Sequence, residues 1–235
     1  MKEKRIRIGA VCALGVCVSS AFAQLDHGAD IGLTIENNQL LIGEVVVLPS
    51  GQEIVVPGER VFGADFAQVG SFVTVDEPGL FGEAGVFPAA TLRFDVAASV
   101  LAWDGSAFLS PSASTMNIEY GPLSVTTGGG PVPGFGFDVG PAGFDEHYEF
   151  FLNSPASSGI YLLEMTFELE NTGYGVTDSA FIVFNWGLSE LEHDAAIEWV
   201  ESNLVPSPGS MAICAVAPLF LRRRRTHATR GKATP

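Results

Sequence analysis

Between its two ends this chain is a succession of short apolar segments, most of them closed by glycine, proline or asparagine. Strands of about four to eight residues end at such turns, whereas helices need longer uninterrupted runs. The pattern predicts an all-β domain, an antiparallel β-sandwich or jelly-roll-like fold. The predicted strands are Asp30–Ile35, Leu40–Leu48, Glu53–Val56, Arg60–Phe66, Val69–Val75, Thr91–Val96, Met116–Tyr120, Leu123–Thr127, Phe135–Val139, His147–Leu152, Ile160–Glu170 and Ser179–Trp186.

The connections between these segments carry their own signals. Asn37-Asn38 is typical of a tight hairpin turn, and Gly70 indicates a bend within a strand. Residues 76–88 and 128–134 are rich in glycine and proline and are predicted to be loops. Residues 97–103 fit either a strand or a short helix, because their apolar spacing is helical but the run is brief.

One short helix is predicted at the C-terminal end of the domain, at about 189–202. Ser189 and Glu192 have the spacing of a capping box, in which each side chain satisfies a backbone N–H of the first turn. Apolar residues then recur every three or four positions, at Leu188, Leu191, Ala195 and Trp199.

Charge limits the partners of the predicted domain, residues 24–205. These residues include 26 acids and two bases, Arg60 and Arg93, which gives a formal charge of −24. A surface of this charge repels nucleic acid and anionic lipid, so we expect no nucleic-acid partner. All three cysteines lie outside these residues, so the domain has no internal disulfide and depends on packing or bound ions.

The two ends of the chain have the composition of export and sorting signals. Residues 1–23 combine a basic start with an apolar run, and Ala21 and Ala23 form a small-x-small site. We therefore predict a signal peptide that signal peptidase removes before Gln24. At the other end, an apolar run of residues 211–221 is too short to span a membrane comfortably. It lies between a linker and a basic cluster: Val205, Pro206, Ser207, Pro208 and Gly209, then Arg222, Arg223, Arg224 and Arg225.

This order of linker, short apolar run and arginine cluster in residues 206–225 resembles the PEP-CTERM sorting signal of exported bacterial proteins. Ser207 stands where that signal has glutamate, and a basic tail, residues 226–235, follows the cluster. The resemblance implies export to the cell surface or extracellular matrix, a transient C-terminal membrane anchor, and processing by an exosortase-type enzyme.

The domain also resembles PEP-CTERM surface proteins of planctomycete type. The resemblance covers most of residues 24–205 and brings no catalytic residue with it. The segments that carry it are His147–Leu152, Gly159–Glu164, Asp76–Gly79, Trp103–Gly105, Phe181–Asn185 and Trp199-Val200.

Two sets of residues are candidate metal ligands. His27, His147 and His193 each have acidic neighbours, and carboxylates beside imidazoles can supply ligands or orient them. In so acidic a chain, acids also occur beside histidines by chance. The alternative is therefore that these are surface histidines whose pKa is raised by neighbouring acids. Asp76, Glu77 and Glu83 lie in the predicted loop 76–88 and are a candidate Ca²⁺ site.

These observations favour a non-enzymatic exported protein of the cell surface or extracellular matrix. The sequence has no nucleophile elbow or P-loop, and residues 24–205 contain no cysteine. We therefore expect no enzyme activity and no cofactor. The alternative is a carbohydrate-binding β-sandwich, with or without Ca²⁺, whose partner would be an extracellular polysaccharide.

Overall fold

The computed structural model describes residues 30–206, which form seventeen strands and one helix. The helix, α1, spans Glu190–Asn203. The strands are β1 (Ile31–Glu36), β2 (Gln39–Val47), β3 (Glu53–Pro57), β4 (Val61–Asp65), β5 (Ala67–Val69), β6 (Phe72–Val75), β7 (Leu80–Gly82), β8 (Ala90–Val96), β9 (Leu101–Ala102), β10 (Ser110–Pro111), β11 (Met116–Tyr120), β12 (Leu123–Thr126), β13 (Val132–Val139), β14 (Phe144–Glu146), β15 (Glu149–Leu152), β16 (Gly159–Leu169) and β17 (Ala180–Trp186).

The strands form three sheets. Sheet A has the order β14-β7-β1-β2-β3, and sheet C has the order β12-β11-β15-β6-β5. Sheet B has the order β10-β9-β16-β17-β4, with β8 paired to both β13 and β16. Within residues 30–206 the parallel pairs are β1–β7 and β4–β17, and the other strand pairs are antiparallel. The prediction of an all-β, mainly antiparallel sandwich with a short C-terminal helix is confirmed.

All three sheets bury side chains in one shared hydrophobic core. Leu33 comes from sheet A, Phe94 and Phe167 from sheet B, and Ile118 and Phe150 from sheet C, each no more than 1% exposed. Burying a side chain of this size contributes roughly 1.5–3 kcal/mol, so a core drawn from every sheet can hold the domain together without a disulfide.

Part of sheet B, formed by β4, β17 and the first half of β16, is buried on both faces. In β17, Ala180, Ile182 and Phe184 face the shared core, while Phe181 and Val183 belong to a second cluster beneath α1. A strand covered on both faces needs apolar residues at successive positions rather than alternate ones. This explains why β16 and β17 are the most apolar of the strands predicted for the domain.

The helix predicted at 189–202 is confirmed as α1. Ser189 is its N-cap, and the reciprocal hydrogen bonds of the capping box with Glu192 are present. Ala196, Ile197 and Val200 are buried against sheet B, whereas Leu191 and Ala195, two of the predicted apolar positions, are exposed. Over the described residues, no helix combines the length and apolar character needed to cross a membrane.

The first hairpin is confirmed, and the second differs from our prediction. Asn37 and Asn38 have φ of 50° and 64° and connect β1 to β2, as a two-residue turn requires. Val69–Val75, predicted as one bent strand, is instead parts of two strands, because Gly70 at φ 63° reverses the chain between β5 and β6. The reversal uses a left-handed conformation that favours glycine.

Several boundaries predicted from glycine and proline content are wrong. The predicted loop 76–88 contains β7, and the strand β14 was not predicted at all. β13 begins at Val132, inside the predicted loop 128–134, and its pairing with β8 is irregular between Pro133 and Gly136. These strands are short or bulged, so they lack the regular alternation that identifies a strand in a sequence.

Residues 97–103 and 147–152 contain shorter strands than their sequence patterns suggest. Residues 97–103, which fitted a strand or a helix, contain the two-residue strand β9. His147–Leu152 was predicted as a continuous strand, but β15 begins only at Glu149, and His147 lies in the link after β14. That link places His147 at the end of sheet A.

Candidate functional site

Three strands of sheet A bring three potential metal ligands to one end of the sheet. Ile31 pairs with Leu80 between β1 and β7, and Leu80 pairs with Glu146 between β7 and β14. The neighbouring residues Asp30, Gly79 and His147 therefore lie side by side just beyond the paired ends. Glu77 joins them from the turn that precedes β7. We name Asp30, Glu77 and His147 the sheet A cluster.

The cluster is arranged around the backbone N–H of Gly79. This N–H lies 3.0 Å from Asp30 Oδ1 and 3.1 Å from Glu77 Oε2, so it donates to both carboxylates. A Cβ at position 79 would lie 2.6 Å from Asp30 Oδ1 and 2.7 Å from His147 Cε1. Glycine is therefore required for these side chains to approach one another as they do.

The imidazole of His147 contacts carboxylates on both sides. Its Nδ1 lies 3.0 Å from the carbonyl oxygen of Asp76 and 3.9 Å from Glu77 Oε1. Its Nε2 lies 3.6 Å from Asp145 Oδ1. Because a carbonyl oxygen can only accept, Nδ1 carries the hydrogen of the contact with Asp76. The potential ligand atoms of Asp30, Glu77 and His147 all lie within 4.8 Å of one another.

The electrostatics of the cluster follow from its excess of carboxylates. Burial raises the pKa of Glu77, and the negative charge of Asp30 raises it further, against the opposing effects of His147 and the Gly79 N–H. Burial alone would lower the pKa of His147. The hydrogen bond to Asp76 and the charges of Glu77, Asp30 and Asp145 outweigh burial and raise it. The carboxylates of the cluster therefore favour the binding of a positive charge between them, either a proton or a metal ion.

A second set of potential ligands, Asp65, Glu190 and His193, lies where α1 meets sheet B. His193 is fully buried, so it is not the surface histidine that we expected from its acidic neighbours. Its Nε2 donates to the carbonyl oxygen of Val183 at 2.8 Å, and its Nδ1 faces Asp65 Oδ1 at 3.9 Å. These contacts attach α1 to β17 and β4, which gives His193 a structural role.

The aromatic residues mostly pack in the core. Tyr148 lies within 6.5 Å, between ring centroids, of Phe94, Phe135 and Phe150. Burial raises the pKa of the Tyr148 phenol. Trp103 and Trp199 are partly exposed and pack with Phe108 in the cluster beneath α1. Aromatic packing, rather than exposed stacking surface, accounts for these residues.

A shallow groove of about 340 Å³ lies between β2 and the segment after β16. Its lining includes Gln39, Arg60, Tyr174 and Asp178. Arg60 is held in place because its Nε donates to the Ser179 carbonyl at 2.8 Å and its Nη1 lies 3.4 Å from Asp178 Oδ2. The groove offers one aromatic ring, that of Tyr174, beside polar side chains of which Arg60 is held in place.

The remaining predicted site residues are dispersed. Asp76 contributes its backbone carbonyl to the sheet A cluster, whereas Glu83 accepts a hydrogen bond from the Val55 N–H at 2.8 Å. Asp30 was not predicted as a ligand, and it completes the cluster because β1 and β7 are neighbours. Val205 and Pro206 end the described part of the chain. The other predicted residues lie outside it: Ala21, Ala23, Gln24, His27, Ser207, Pro208, Gly209, Arg222, Arg223, Arg224 and Arg225.

The chain matches no protein-family model and no curated protein.

Proposed function

We propose that the protein is a non-enzymatic exported protein, sorted to the cell surface or extracellular matrix by its C-terminal PEP-CTERM-like signal. The observation that carries the proposal is the junction between the domain and that signal. Helix α1 packs on sheet B and ends at Asn203, only three residues before Pro206. The helix that closes the described domain thus ends where the proposed signal begins in the sequence.

The composition of the domain supports the same proposal. Its charge of −24 over 182 residues, without cysteine, suits an exported protein that meets solvent and divalent cations rather than nucleic acid. The partners that the proposal requires are a signal peptidase and an exosortase-type processing enzyme. During sorting, the apolar run would provide a transient membrane anchor.

The test is cell fractionation of a strain in which Arg222, Arg223, Arg224 and Arg225 are all replaced by glutamine. We expect this variant to lose most of its surface-associated protein, because the basic cluster is the part of the signal that stays on the cytoplasmic side. The control is the pair Arg230→Gln and Lys232→Gln, which removes positive charge from the tail beyond the signal. Equal surface fractions for the two variants would contradict the proposal.

A second candidate function is carbohydrate binding by the sandwich. The observation that favours it is the groove at Tyr174, in which an aromatic ring lies beside the polar groups of Gln39, Arg60 and Asp178. Sugar sites combine an apolar ring face with a few placed hydrogen-bonding groups. A glycan array, run with and without EDTA, would detect such binding and any dependence on Ca²⁺. Binding that Tyr174→Ala abolishes and Tyr120→Phe preserves would establish this function.

A further inference from the structure

We propose that the sheet A cluster is a binding site for a divalent transition-metal ion of the Zn²⁺ class, with Asp30, Glu77 and His147 as its side-chain ligands. The inference concerns the folded domain and does not depend on the sorting proposal. It follows from the kinds of donor atom present, their separations and the charge around them.

The donor set selects the metal class. An imidazole nitrogen with two carboxylate groups is a common ligand set for Zn²⁺ and related first-row ions. Ca²⁺ takes oxygen ligands only, so the participation of His147 disfavours it. The cluster therefore differs from the candidate Ca²⁺ site at Asp76, Glu77 and Glu83, since Glu77 is the one side chain that the two sets share.

The separations are close to those that an ion would impose. Ligand atoms about 2.1 Å from one Zn²⁺ ion lie about 3.0–3.5 Å from each other. The ligand atoms of the cluster already lie within 4.8 Å of one another, so shifts of about 1 Å would close the site. The 3.0 Å separation of His147 Nδ1 from the Asp76 carbonyl oxygen falls in the same range, and the ion would replace the hydrogen between them.

The surroundings of the cluster hold its ligands in position. The Gly79 N–H fixes one oxygen each of Asp30 and Glu77, and both carboxylates keep a second oxygen for an ion. If Nδ1 binds the metal, Nε2–H of His147 points toward the Asp145 carboxylate, 3.6 Å away. A carboxylate behind a metal-binding histidine is a frequent arrangement, because it fixes the ring orientation and strengthens the ligand.

Charge supports a cation at this position. Arg60 and Arg93 are the basic residues of the described part of the chain, and each is engaged elsewhere. Arg60 contacts Asp178, and Arg93 contacts Asp95 at 3.0 Å and Glu170 at 3.7 Å. Among residues 30–206, therefore, no arginine or lysine contacts the carboxylates of the cluster, and a divalent ion would balance Asp30 and Glu77.

The experiment is isothermal titration calorimetry, in which the purified full-length chain is titrated with Zn²⁺ and, separately, with Ca²⁺. We expect one saturable Zn²⁺ site and no comparable Ca²⁺ site. His147→Gln, Asp30→Asn and Glu77→Gln should each weaken Zn²⁺ binding by at least about 100-fold, and Asp145→Asn by about tenfold. Glu36→Gln, an exposed acid on β1, and His227→Gln, a histidine in the basic tail, are matched controls that should leave the affinity unchanged.

A second measurement does not depend on how the variants fold. In the wild-type chain labelled with ¹⁵N-histidine, one equivalent of Zn²⁺ should shift the ring nitrogen signals of His147 and leave those of His193 in place. The proposal is overturned if wild-type protein shows no saturable site. It is equally overturned if the cluster variants bind like the controls, or if the signals that shift belong to other histidines only.

Discussion

The hydroxyl of Tyr120 donates a hydrogen bond to Oε2 of Glu146 at 2.6 Å. Glu146 is the residue that precedes His147 in the sequence. This bond, together with burial and the charge of Glu146, raises the pKa of Tyr120 to about 12. The carboxylate of Glu146 thus makes the neutral phenol of Tyr120 harder to ionise, because ionisation would place a second negative charge beside the first.

Tyr120 should make folding stability depend on alkaline pH. Its folded pKa is higher than the unfolded value of about 10, so the folded state holds the proton more tightly. The resulting stability is fully present below about pH 10 and is lost as pH rises from about 10 to 12. Ultraviolet titration of tyrosinate should show a phenol with a midpoint near 12 that Tyr120→Phe removes.

The matched control for this titration is Tyr174→Phe, which removes a phenol from the groove beside Arg60. It should leave the titration near pH 12 in place. If that titration survives in Tyr120→Phe, or vanishes in the control, the role assigned to the Glu146 hydrogen bond is wrong.

His147 and His193 show what sequence could and could not predict about the site. Both have acidic neighbours, so the sequence selects both but cannot separate them. Burial separates them: the side chain of His193, a residue of α1, is fully buried, whereas His147 is partly exposed at the end of sheet A. The contribution of Asp30 depends on the parallel pairing of β1 with β7, two segments far apart in the chain. Such a pairing leaves no local signal.

At the scale of elements, prediction succeeded where local rules determine the structure. The Asn37-Asn38 turn and the Ser189 capping box satisfy their own backbone groups, so a few residues are enough to identify them. β7 and β14 have three residues each and exist because their neighbours in sheet A pair with them. Tertiary pairing, rather than propensity, determines strands this short.

The docking of α1 can be tested by comparing its two faces. Ile197 of α1 is buried against sheet B, and Leu191, also on α1, is 78% exposed. We expect Ile197→Ala to lower the free energy of unfolding by about 2–4 kcal/mol, because it leaves a cavity against sheet B. Leu191→Ala, the control, should change it by less than about 0.5 kcal/mol. Urea denaturation measures both, and equal losses would show that α1 does not pack as described.

At the scale of the whole molecule, the dominant property is net charge. A domain of 182 residues with a charge of −24 is far more acidic than is usual for its size. Arg60 and Arg93 can neutralise only a few of its acids, so most carboxylates repel one another. Because salt screens such repulsion beyond roughly 8 Å at physiological ionic strength, salt should stabilise the fold.

Thermal melts of the purified protein test whether this effect is general or specific. At matched ionic strength, NaCl, MgCl₂ and CaCl₂ should raise the melting temperature by similar amounts, because screening depends on ionic strength. Zn²⁺ should act at far lower concentration and reach saturation, since an ion that binds only the native state stabilises it by mass action. A saturable Ca²⁺ effect that EDTA reverses would favour the Ca²⁺-dependent carbohydrate-binding alternative.

Under the sorting proposal, the folded domain is exported and then released from its C-terminal signal. The most direct test is mass spectrometry of the native protein from the surface fraction of the cells that make it. We predict that the protein begins at Gln24 and yields no peptide from Arg222 to Pro235. Recovery of the tail peptides, or of peptides preceding Gln24, from most of the surface-associated protein would contradict the claim.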